Sequence, residues 1–166
     1  MDQRQQKAQD LFFMGYNCSQ SVAAAFDDIT GYSQLTLLRL SASFGGGFGR
    51  LRELCGALSG AGLILGILYS SGDPSPEEKE GQYARVQEIA KKFEKMHGTL
   101  ICRELLAAKV AVTDHPTPDP RTPEYYQNRP CPQLIADAVL LLEQYIAEHP
   151  PKKISPKENS HKEESV

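Results

Sequence analysis

The segment from Ser43 to Ser71 limits the possible folds more than any other part of the chain. Its first half is Gly45-Gly46-Gly47-Phe48-Gly49, and from Leu54 to Ser71 it carries no charged residue. At 100° per residue, Cys55, Ser59, Gly62 and Gly66 share one side of a helix. Leu54, Ala57, Leu58, Ala61, Ile64, Leu65 and Leu68 cover most of the rest. Glycine inside a helix is less favourable than alanine by roughly 1 kcal/mol per site. Four glycines nevertheless lie between Gly56 and Gly66. Close approach of other backbones along the small-residue stripe would offset that penalty. The pattern predicts a central buried helix with Cys55 near its start, where elements meet.

A membrane-spanning reading of this run fits less well. It is near the lower length limit for a span, rich in glycine, and flanked by a glycine loop instead of interfacial anchors. The remaining segments are amphipathic, so a lone span would be out of character.

The segment from about Asp2 to Met14 reads as a helix stopped by Gly15. Asn17 is an N-cap for a second helix to about Phe26, with Cys18 as its first residue. Ser33 or Thr36 caps a short helix carrying Leu35, Leu37, Leu38 and Leu40. Ser75-Pro76-Glu77-Glu78 combines a serine N-cap, proline at the first helical position and glutamate at the capping-box position. The helix it opens shows Tyr83, Val86, Ile89, Ala90, Phe93 and Met96 at helical spacing and ends at Gly98. Thr99 caps the next, LICRELLAAKV, with Cys102 in its first turn. Asp114 to Pro130 is a proline-rich connection with a short helix near Glu124 to Tyr126. Pro130-Cys131-Pro132 then opens a last helix with Ile135, Ala138, Val139, Leu142, Tyr145 and Ile146 as its apolar stripe. Residues 150–166 have almost no apolar content and read as a disordered polar tail. With no alternating strand pattern, residues 1–149 read as a single all-α helical-bundle domain around the central glycine-rich helix.

A net charge of −3 gives no reason to expect nucleic acid or an anionic membrane as partner. The start, MDQRQQKAQDLFF, lacks the basic-then-apolar pattern of a secretory signal, so the expected location is cytoplasmic. Thiols there are kept reduced, which points the four cysteines toward catalysis, redox sensing or metal binding.

Cys18, Cys102 and Cys131 each fall in the first turn of a predicted helix, and Cys55 lies near the start of a fourth. Free N–H groups and the partial positive charge at such positions stabilise a thiolate. The expectation is therefore a lowered thiol pKa. Against this stands the ordinary use of cysteine as a small buried apolar residue. The sequence separations of 37, 47 and 29 residues, with no C-x-x-C pair, require the tertiary fold to assemble any joint site.

Three stretches stand out together: Gly15-Tyr16-Asn17-Cys18-Ser19-Gln20-Ser21-Val22, Phe44-Gly45-Gly46-Gly47-Phe48-Gly49, and Cys55-Gly56-Ala57-Leu58-Ser59-Gly60. With isolated Cys102 and Cys131 after them, the chain resembles the bacterial C-GCAxxG-C-C family. The resemblance implies a suspected redox activity, with no established reaction or substrate, in proteins often encoded near transporter genes. Together with the helix-start placement, it leads to four cysteines converging at one end of a bundle, where two or more cycle between dithiol and disulfide. Cys18 or Cys55 would attack a substrate disulfide, with Cys55 preferred because its glycine-lined surroundings admit a small substrate. The alternative is zinc or an iron–sulfur cluster held by the same four thiolates, with His97 as a substitute ligand. A third reading is a transporter-associated binding module with structural thiols. The expected partner is a thiol or disulfide, on a protein or a small molecule.

Other features have blander explanations. Gly45 to Gly49 with Arg50 and Arg52 could cradle an anion, but a tight turn packed beside the cysteines is the simpler account. Glu53 and Arg103 could tune the neighbouring thiols, and by default are solvated. Tyr16, Tyr125 and Tyr126 read as aromatic packing, and His115, His149 and His161 as solvated. The pairs Gly56/Gly60 and Gly62/Gly66 could serve a homodimer, although packing within the chain is the simpler account.

Overall fold

A computed structural model describes residues 2–107 and 112–151. The predicted tail, beyond its first two residues, and the end of the predicted helix after Thr99 lie outside the described residues, as does His161. Among those described, the chain is all-α with no strand. Its one antiparallel bridge joins Leu54 to Ile101.

Helix starts follow the capping chemistry of the sequence. Helix α1 (Gln3–Phe13) begins with an Asp2/Gln5 capping box, and α2 (Cys18–Ala24) with an Asn17/Gln20 box. Helix α2 ends earlier than predicted, and a separate turn, α3 (Asp27–Thr30), takes over after Phe26. Ser33 caps α4 (Gln34–Ser41), and a 3₁₀ turn (Ala42–Phe44) leads into the glycine segment. The central helix α5 (Gly56–Tyr69) follows, and Ser75 caps α6 (Pro76–His97). Then come α7 (Cys102–Ala107), α8 (Pro123–Gln127) and α9 (Cys131–Glu148).

Helix α5 lies chiefly on α2, while α9 bridges α1, α2, α5 and α6. Val22, Phe26, Ile64, Leu65, Ile89, Phe93, Ile135, Val139 and Leu142 fill the space between them. Burying each such side chain contributes on the order of 1.5–3 kcal/mol before conformational entropy opposes it.

Two expectations about faces are corrected. On α5 the closest packing is at Gly56 and Gly60, not along the Gly62/Gly66 stripe. A Cβ on Gly60 would sit 2.7 Å from the Ser19 carbonyl oxygen, whereas one on Gly62 would meet nothing within 4 Å. On α6 only Ile89 and Phe93 of the predicted apolar stripe are buried, with Ala90 half-buried and Tyr83, Val86 and Met96 exposed. The N-terminal half of this helix meets the central helix through polar side chains, with the Arg85 guanidinium 5.2 Å over the Tyr69 ring, so its apolar positions there stay exposed. No helix among the described residues is long and apolar enough to cross a membrane.

Candidate functional site

Each cysteine sits where a helix begins. Cys18, Cys102 and Cys131 are the first residues of α2, α7 and α9, and Cys55 is the N-cap of α5. Asn17, while capping α2, also donates through Nδ2 to the Ala42 carbonyl at 2.8 Å, tying the Cys18 end to the approach of the glycine segment. Around the Leu54–Ile101 bridge, the Cys55 N–H donates to the Leu100 carbonyl at 2.9 Å and the Cys102 N–H to the Glu53 carbonyl at 2.6 Å. Two cysteines 47 residues apart in sequence are thereby set on adjacent strands of chain.

Glycines close the remaining distances. A Cβ on Gly56 would overlap the Cys18 sulfur and lie 2.9 Å from the Phe44 carbonyl oxygen. Gly47, at φ +72°, approaches Cys102 so closely that a Cβ there would be 2.6 Å from the cysteine's own Cβ. Around it Phe48, Arg50 and Arg52 hold φ of 64°, 67° and 63°, a conformation that costs an L-residue on the order of 1 kcal/mol or more. Backbone bonds from Arg52 N–H to Gly46 and from Glu53 N–H to Gly47, at 3.2 and 3.0 Å, hold this turn in place.

The result is a cavity of about 20 Å³ lined by Cys18, Cys55, Cys102 and Cys131 with Gly56, Leu105, Leu106 and Leu134. It is large enough for a single water. All four thiols are free, Cys55 and Cys102 being buried and Cys18 and Cys131 half-buried.

The expected lowering of thiol pKa is overturned at three positions. Burial pushes Cys55 well above its ordinary value, and the nearby Cys18 adds to it, while the Ala57 N–H works the other way. Burial and then Cys18 also raise Cys102, where hydrogen bonding and charge from Arg52 oppose the rise. Cys131 is pushed up to about 12, again by burial and then Cys18, against Arg129 and Arg121. Desolvation outweighs the helix termini because the cavity walls are leucines and glycine. Cys18 is the common neighbour of the other three. The glycine-lined access expected beside Cys55 is filled: the thiol is 4% exposed and Cys18 occupies the space above Gly56.

The zinc and iron–sulfur alternative finds no support in the donor arrangement. Among the described residues no group of three or more His, Cys, Asp or Glu is placed to hold a metal ion. His97, the proposed substitute ligand, is engaged elsewhere, with Nε2 3.2 Å from Asp137 and its ring 4.4 Å from that of Phe93.

The side chains of Arg50 and Arg52 direct their hydrogen bonds away from the N–H groups of the glycine turn. They reach across to the proline-rich connection: Arg50 donates to the His115 carbonyl at 2.6 Å and to Asp119 at 3.1 Å, and Arg52 to the Thr113 carbonyl at 2.9 Å. Arg129, with a side chain 6% exposed, donates to the same Asp119 at 2.6 Å. Glu53 and Arg103 are exposed, in keeping with the solvated reading, and form an ion pair with each other. Tyr125 packs against Phe12 and Tyr126, and the guanidinium carbons of Arg121 and Arg129 lie 4.6 and 4.3 Å from its ring centre. Asp119, Arg121 and Arg129 carried no motif that would have singled them out; only an excess of arginine opposite a lone aspartate, visible after folding, marks them.

A family model described as "Putative redox-active protein (C_GCAxxG_C_C)" matches residues 16–145. No curated protein and no solved structure matches the chain.

Proposed function

The chain belongs to the C_GCAxxG_C_C family, and from that premise we propose that it is a thiol–disulfide redox protein working through Cys18, Cys55, Cys102 and Cys131. The observation that carries this reading is the cavity all four line at the starts of four helices. Cys18 is the attacking thiol, because it is half-buried and adjoins each of the others. Its thiolate displaces one half of a substrate disulfide as a thiolate and forms a mixed disulfide. A second cysteine of the cavity attacks the Cys18 sulfur and releases the other half. Two protein thiols are oxidised to one disulfide, the substrate is reduced to two thiols, and the two protons pass to the leaving thiolates.

The test is to oxidise the reduced protein with excess 2-hydroxyethyl disulfide, alkylate it, and map the linkages by mass spectrometry. The expected product has lost two hydrogens and contains one disulfide that includes Cys18. Four equally alkylated cysteines would rule out dithiol cycling.

A further inference from the structure

The arginines beside the thiols are out of balance with their acceptors. Arg50 and Arg129 donate to the single carboxylate of Asp119, and Arg52 lies 3.9 Å from it. Arg52 and Arg129 have side chains only 6% exposed, while that of Asp119 is 38% exposed. Arg121 joins at the same Tyr125 ring that Arg129 contacts, its Nη2 donating to the Tyr16 carbonyl at 3.2 Å. Among the described residues, Arg129 Nε and Arg121 Nη1 are buried without an acceptor. Burying cations with one anion between them, and leaving N–H groups unbonded, is unfavourable unless another anion completes the arrangement.

This cluster adjoins the thiol cavity at two points. Arg129 is separated from Cys131 by Pro130 alone. The Arg52 Cα lies beside Gly47, against which Cys102 packs. The connection that brings Asp119 to the arginines is exposed from Val112 to Pro118 and is held by polar contacts to Arg50 and Arg52. A ligand can therefore compete for the guanidiniums without breaking the apolar core.

We propose that Arg50, Arg52, Arg121 and Arg129 form an anion-binding subsite beside the thiols, with Asp119 as an internal carboxylate in part of it, and that the substrate is a small disulfide carrying a carboxylate or comparable oxyanion. The guanidinium fork suits a planar carboxylate. The substrate's charged end is held there while its sulfur reaches Cys18. This inference rests on the thiol–disulfide reading for the reaction, though not for the binding of the anion.

The experiment has a reactive arm and a binding arm. The reduced protein is oxidised by 3,3′-dithiodipropionate, 2-hydroxyethyl disulfide and cystamine, which are anionic, neutral and cationic, and each rate is divided by that of a small neutral thiol. The anionic reagent is expected to be favoured over the cationic one by ~10-fold or more at low salt. Arg121→Gln should erase most of that preference, and Asp119→Asn should increase it. Arg129→Lys should keep the charge and part of the preference, although a nine-tenths-buried position makes Arg121→Gln the decisive variant. In the binding arm, adipate, which has two carboxylates and no disulfide, should raise the melting temperature of the protein relative to adipamide at equal ionic strength. That shift should grow in Asp119→Asn and vanish in Arg121→Gln. Equal normalised rates for the three reagents together with no adipate effect overturn the subsite. If no protein disulfide forms with any reagent but adipate still binds, the redox reading fails and the anion site stands.

Discussion

The first and last halves of the central helix carry the same glycine spacing and use it in opposite ways. Gly56 and Gly60 face α2, where a Cβ would run into the Cys18 sulfur, the Phe44 carbonyl and the Ser19 carbonyl. Gly62 and Gly66 point where little is near, the nearest atom to a Cβ on Gly66 being the Gln82 side-chain nitrogen at 4.0 Å. One pair lets four elements meet at the thiols, and the other leaves a helix weaker than it need be. Spacing on a wheel identifies a small-residue face; only the neighbours decide whether that smallness is used.

Gly56→Ala is the strongest way to break this contrast. The new methyl overlaps Cys18, and behind it stands the Phe44 carbonyl at 2.9 Å, which is backbone and moves little. Overpacking of this kind costs about 3 kcal/mol, a large share of the 5–15 kcal/mol typical of a domain. Denaturant unfolding should show the loss, and the alkylation rate of Cys18 should change with it. Gly60→Ala meets the Ser19 carbonyl at 2.7 Å and Val22 Cβ at 3.1 Å, so about 2 kcal/mol is expected, with the thiol cavity intact. If both variants were as stable as the parent, the close approach along α2 would be wrong.

The thiol end of the helix also makes stability depend on alkali. At the thiol end the folded protein binds the Cys131 proton more tightly than the unfolded chain, holding its pKa at about 12 against an ordinary 9.0. Since the unfolded state loses that proton first, stability is fully present below about pH 9 and falls as the pH rises toward 12. The slope for this thiol alone is about 1.4 kcal/mol per pH unit. Cys55 and Cys102, raised in the same direction, steepen it. Unfolding measured from pH 8 to 10.5 should show the decline in the reduced protein, and Cys131→Ala should make it shallower. An identical slope in the variant would mean that the cavity does not desolvate this thiol.

What the sequence made legible was local. Asn17, Ser33 and Ser75 cap helices as their chemistry dictates, and the Asn17 cap sets the helix start at Cys18. The glycine turn was recognisable, although its left-handed run through Phe48, Arg50 and Arg52 was not, since each of those residues disfavours it in isolation. The thiol pKa directions came out reversed because a helix terminus is a local feature and desolvation is not: Leu105, Leu106 and Leu134 arrive from α7 and α9. The pairing of Arg50 with Asp119 spans 69 residues, and no periodicity encodes it.

The far half of the helix supplies the smallest and most discriminating test. Gly62 lies in the interior of α5, with ordinary helical backbone and no atom within 4 Å of where a Cβ would sit. Alanine there removes conformational freedom from the unfolded chain and obstructs nothing in the folded one, so Gly62→Ala should stabilise by about 0.5–1 kcal/mol. The measurement is the denaturant midpoint at unchanged slope, with thiol alkylation rates held as a control that the cavity is untouched. Destabilisation would mean that this face is occupied in the folded protein, as a second copy packed through Gly62 and Gly66 would require. A gain beside the losses at Gly56 and Gly60 would separate, on one helix, glycines required for packing from those that are merely tolerated.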